Sequence, residues 1–236
     1  MILRDLNLSL ITLSKNKSDA ECAEYWAFEF QSSCVCDLYC RCLPKLVTSG
    51  TAKVMIDLVD EDGWVAPANI QRLLNVTFSP WRANLADYWK LDEFGRKRWV
   101  LETLHAGLMW LAGIEGWATE LLETAYRTCL ERKLVNEFVS KKSHANPSKT
   151  ASLKLFCEFG PHEAKLSAIV IRRRKELGRV FLASIVPSPY IVIVTMQSIA
   201  WVNDHVVSLQ IQEDNRARPT QYEYDLLSVL AVAGEV

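Results

Sequence analysis

Glycine is scarce, nine in 236 residues, and none of the nine builds a phosphate-cradling loop or a dinucleotide fingerprint after a strand. There is no Gly-x-Ser-x-Gly elbow either, so the most readable hydrolase and nucleotide-binding signatures are missing. No Cys-x-x-Cys knuckle and no His-x-x-x-His pair occur, and the four histidines (105, 144, 162 and 205) are scattered. That leaves no metal-ligand spacing and implies no cofactor. Nowhere does the chain reach the roughly 18 consecutive apolar residues of a membrane span. Its start, MILRDLNLSLITL, alternates polar with apolar instead of running on like a signal peptide. With seven Cys, an odd number, the expectation is a cytoplasmic chain without a disulfide framework.

Charge of one sign is lacking too. A net charge of -1 and a pI near 6.4 give no global reason to expect nucleic acid or an anionic membrane as partner. The distribution is less even: residues 1–140 carry 15 Lys and Arg against 19 Asp and Glu, whereas 141–212 carry 10 against 4.

What is present is core material, with half the residues apolar and eight Trp, so the chain folds. Leu6, Leu8 and Leu10 alternate with polar residues, as do Trp26, Phe28 and Phe30, then Cys34, Cys36, Leu38, Cys40 and Cys42, then Val54, Ile56 and Leu58. Period two predicts four strands of a meander. Pro67 with Ile70, Leu73 and Leu74 predicts a short helix before Pro80. Asp92 is a candidate N-cap for a helix carrying Leu101, Leu104, Leu108 and Leu111 on one face. A second helical pattern starts at Trp117, beyond Gly113 and Gly116. The polar stretch Ser140–Thr150 reads as a loop, and runs from Leu153 to Gln212 read as an antiparallel sheet, with Tyr190–Met196, apolar on both faces, as its central strand. The expected fold is therefore α+β: one domain over 1–236, with β-meanders at 1–60 and 151–212 flanking a helical segment at 67–140, and a tail at 213–236.

Among candidate functional residues, the four cysteines from Cys34 to Cys42 read as one apolar strand face, not a metal site, since strand spacing of about 6.6 Å between alternate residues does not gather tetrahedral ligands. Asp57, Asp60, Glu61 and Asp62 form an acidic cluster suited to a basic partner. Trp81 and Trp89 are candidate interface anchors. Arg172, Arg173, Arg174 and Lys175 form a basic run at a turn, read as solvated. His105, one residue past Leu104, reads as structural; an enzyme would need a site assembled from distant residues such as His105, His162 and nearby acids. A structural subunit of a larger assembly is the third class.

The strand meander from Leu3 to Leu58, the helical stretch from Leu91 to His105 and the second meander from Leu153 together resemble, in size and make-up, bacterial immunity proteins that neutralise toxins delivered between competing cells. The resemblance implies a non-catalytic module whose partner is another protein, a cognate toxin. It carries no residue assignments.

Overall fold

Two strands that pair in parallel need a long crossover between them, and the first half of the chain supplies one. The computed structural model describes residues 1–10, 19–59, 70–212 and 218–231. These group into two compact units, Met1–Asn136 and Glu137–Val236. Helices and sheets are mixed and, among the described residues, two of the three sheets are antiparallel, so the fold class is α+β.

In the first unit, β1 (Asp5–Leu10) leads through α1 (Asp19–Cys42) to β2 (Lys53–Val59), and β1 and β2 lie parallel with Ser9 opposite Asp57. A hairpin follows, β3 (Gln71–Leu73) and β4 (Val76–Arg82), in which β4 runs parallel to β2; the sheet order is β1-β2-β4-β3. Three helices complete the unit: α2 (Leu85–Lys90), α3 (Glu93–Glu115) and α4 (Thr119–Glu131). Leu6, Leu8, Val54, Ile56 and Leu58 are buried on the sheet. Leu101, Leu104, Leu108 and Leu111 of α3 are fully buried, as their spacing predicts. The Asp92 carboxylate caps α3 by accepting from the Gly95 N–H at 2.7 Å, and left-handed Gly116 ends it. Gly107 lets α3 approach the sheet: a Cβ there would lie 3.2 Å from two carbons of Ile56.

The strands expected at residues 26–30 and 34–42 are instead the single helix α1. Its buried residues Phe28, Ser32, Val35, Cys36 and Tyr39 recur at three and four, and Asp37 pairs with Arg41 one turn on at 2.5 Å. Because α1 packs against β1, α3 and α4 at once, its buried face is broad. A broad face also takes in Cys34 and Leu38, and that produces a spurious period of two. The cysteines therefore do not share one face. Cys36 and Cys40 meet the backbone of Leu8 and Leu6 on β1, whereas Cys42 meets Cys129 of α4. The first sheet accordingly joins β1, β2 and β4 in parallel, with β3 alone antiparallel at its edge, and is not a meander. The helix expected before Pro80 is the β3–β4 hairpin, turning through Leu74 at φ 54; residues 60–69 lie outside the described residues.

The second unit holds β5 (Glu137–Val139), β6 (His144–Ala145), β7 (Ser152–Phe159), β8 (Ala164–Arg172) and β9 (Lys175–Ile185) in one antiparallel sheet. Helix α5 (Pro189–Gln197) follows, then β10 (Ala200–Trp201), β11 (Val206–Ile211) and β12 (Thr220–Asp225) as a second antiparallel sheet, and α6 (Leu227–Ala231). The expected central strand at 190–196 is α5: Ser188 and Pro189 start a helix, and that start outweighs the β-branched run behind it.

Candidate functional site

Ligands of parallel sheets gather beyond the carboxyl ends of the strands, and there β1 and β2 place Ser9 and Asp57 side by side. Both are buried, Asp57 to 9% exposure. Helix α1 begins alongside and brings Tyr25 and Glu29, one turn apart, onto the same spot. The Tyr25 hydroxyl donates to the Glu29 carboxylate, and the Ser9 hydroxyl lies within hydrogen-bonding reach of both. Burial, then the nearby Glu29 charge, pushes the Asp57 carboxyl up to about 6. Burial also raises Glu29, against the opposing pull of the Ser9 and Tyr25 hydroxyls and the Lys53 charge. Lys53 itself is paired with Asp5 at 3.0 Å. No ion pair among the described residues engages Glu29 or Asp57, so two coupled carboxyls share one corner without a dedicated cation.

An aromatic ridge flanks the pair. Trp26 is 51% exposed, edge-on to Tyr25 with ring centroids 5.2 Å apart and stacked on Phe30 at 6.1 Å. Trp26 and Phe30 are one turn apart, as are Tyr25 and Glu29, so aromatic and acidic residues share the start of α1.

Of the candidates read from sequence, Asp57 stands in this corner. Asp60, Glu61 and Asp62 lie outside the described residues. Trp81 is half-buried on β4, one residue past Pro80, which is opposite Asp57; its ring sits 6.2 Å from Trp110. Trp89 lies apart on α2, half-buried, against Tyr88 at 4.9 Å and beneath the Arg96 guanidinium at 5.4 Å. Glu29, Tyr25 and Trp26 are not legible as a site in the sequence, because a strand over these residues holds Tyr25 and Glu29 about 13 Å apart and puts Trp26 in the core. The signal that finds them is the pair of four-residue spacings, Tyr25 to Glu29 and Trp26 to Phe30.

A second polar cluster links three helices. The Tyr39 hydroxyl donates to the Leu122 carbonyl at 3.0 Å and lies 2.9 Å from His105 Nδ1. His105 Nε2 is 3.4 Å from Glu123, and Tyr126 stacks on the imidazole at 4.4 Å. Burial holds His105 below its ordinary range while Glu123 opposes the shift. These contacts tie α1, α3 and α4 together and engage both ring nitrogens, which fits a structural histidine. His162 belongs to the other unit. Among the described residues no three His, Cys, Asp or Glu side chains are placed to hold a metal, and no helix is long and apolar enough to cross a membrane.

No family model, curated protein or solved structure matches this chain.

Proposed function

We propose that this chain is a non-catalytic protein-binding module, acting as an immunity protein that neutralises a cognate toxin by gripping a basic side chain on it. The observation that carries the reading is the Glu29–Asp57 carboxyl pair, both raised, beside exposed Trp26 stacked on half-buried Phe30. A guanidinium suits such a corner, since it accepts two carboxylates as hydrogen-bond partners and stacks on an aromatic face. Toxins that attack nucleic acid tend to be basic, and an acidic surface both steers them and stands in for phosphate. The acidic run Asp60-Glu61-Asp62, three to five residues beyond Asp57 in the chain, adds charge of the same sign.

The test is affinity capture from the source cells with three baits: the unaltered chain, Trp26→Ala and Glu29→Gln. The reading expects a basic protein held by the unaltered bait, lost or weakened on both variants, and released by mild acid as the carboxyls protonate. Equal retention on all three baits contradicts it. A raised carboxyl such as Asp57 also suits an acid–base enzyme, the second reading. Turnover abolished by Asp57→Asn while partner capture persists would select that reading instead.

A further inference from the structure

The basic run Arg172 to Lys175 is the tip of the β8–β9 hairpin. Arg172 pairs with Lys175, leaving Arg173 and Arg174 as a two-residue loop with φ of 46° and 66°. Such a loop wants Asn-Gly, because side chains with a Cβ enter the left-handed region at a cost. Two arginines there pay it twice, and four adjacent cations also repel one another. No ion pair among the described residues engages any of the four. Neither backbone preference nor electrostatics within the hairpin accounts for this choice.

The sheet behind the tip carries a matching surface. Phe156, Ser167 and Phe181 stand in register on β7, β8 and β9, so the two rings share one face about 10 Å apart, two strand spacings. Phe181 is 58% exposed. The Arg179 guanidinium lies 4.7 Å from the Phe156 ring centroid, and Lys154 is in register with Ile169 and Arg179 in the next row. Between residues 152 and 185 there are seven Lys and Arg against three Glu. Two of those glutamates pair within the surface, Glu163 with Lys165 at 3.0 Å and Glu176 with Arg179 at 2.9 Å.

We propose that this face of the second unit, with the Arg172–Lys175 tip, binds single-stranded nucleic acid. Cations along the hairpin hold phosphates, and exposed Phe181, together with the planar Arg179 guanidinium over Phe156, offers stacking faces to unpaired bases. A duplex keeps its bases stacked on one another and cannot use the rings, so the surface discriminates against it. The overall charge of -1 concealed this, because the acidic first unit offsets the basic hairpins. The proposal is independent of the acidic corner of the first unit.

The experiment is fluorescence anisotropy of the full chain with a labelled single-stranded oligonucleotide of about 12 nucleotides, titrated over a range of salt. The double variant Arg173→Asn/Arg174→Gly suits the turn better, so it should fold at least as stably while log affinity loses about 1.4 units of slope against log salt, 0.7 per phosphate contact. Phe181→Ala should weaken binding roughly tenfold, the loss of one stacked base, with the salt slope unchanged. A duplex of the same sequence should bind more weakly. The proposal is overturned if the strand does not bind at low salt. It is equally overturned if the Asn-Gly variant binds as well as the unaltered chain, or if duplex and heparin compete as well as the strand and Phe181→Ala changes nothing.

Discussion

Asp57 holds its proton up to about pH 6 in the folded chain and releases it near 3.9 when unfolded. Between those values the folded state binds the extra proton, so stability is fully present below about pH 4 and falls as pH rises towards 6. The loss is on the order of 1 to 2 kcal/mol after allowance for solvent screening. Glu29 is raised as well and adds to it in the same direction. Asp57→Asn should shrink the gap between denaturation midpoints measured at about pH 4.5 and about pH 7.5; an unchanged gap would show that Asp57 ionises normally. Cysteine chemistry gives a second prediction at this scale. Hydrogen bonding to Cys129 lowers Cys42 to about 7, against burial and helped by Arg132. Burial instead holds Cys34 up at about 12 and raises Cys36 further. Iodoacetamide on the folded chain should therefore label Cys42 ahead of both, at a rate that climbs with pH through about 7. Peptide mass spectrometry reads this directly, and equal labelling of Cys36 would contradict it. Asp57 was legible as an acid in the sequence, but its coupling to Glu29 was not, because the two meet only when α1 folds back along β1.

At the scale of elements, α3 was the most legible. Its cap at Asp92, its leucine stripe and its end near Gly116 are each local signals, and all three agree. Leu108 is fully buried on that stripe, so Leu108→Ala should cost about 2 to 5 kcal/mol, a large share of a domain's usual 5 to 15 kcal/mol or so. Chemical denaturation measures it, and an unshifted midpoint would place Leu108 off the core face. The β7–β8–β9 hairpins were legible for a similar reason: polar and apolar residues alternate cleanly between turn signals. Helices α1 and α5 were not. Where several neighbours cover an element, apolar residues fill most of its circumference, and a window of seven to nine residues then fits period two as well as period 3.6. The parallel pairing of β1 with β2 followed from α1 and was lost with it, since only a recognised crossover helix argues for it.

For the whole molecule, composition spoke to class, and it did so by averaging. A near-zero net charge merges an acid-rich first unit with a basic stretch in the second, and each carries its own candidate surface. The α+β class does not depend on α1, α5 or the β3–β4 hairpin, because helical and strand segments are both present without them. The central claim is that a partner's cation enters the Glu29–Asp57 corner, and such a cation must displace protons held there. The most direct measurement is the proton balance of complex formation with the captured basic partner, by titration calorimetry in buffers of different ionisation enthalpy. The account predicts proton release near pH 5.5, affinity that rises with pH and levels off above about 6, and loss of both effects in the Glu29→Gln/Asp57→Asn double variant. Affinity that is flat with pH, without proton release and indifferent to that variant, would contradict it.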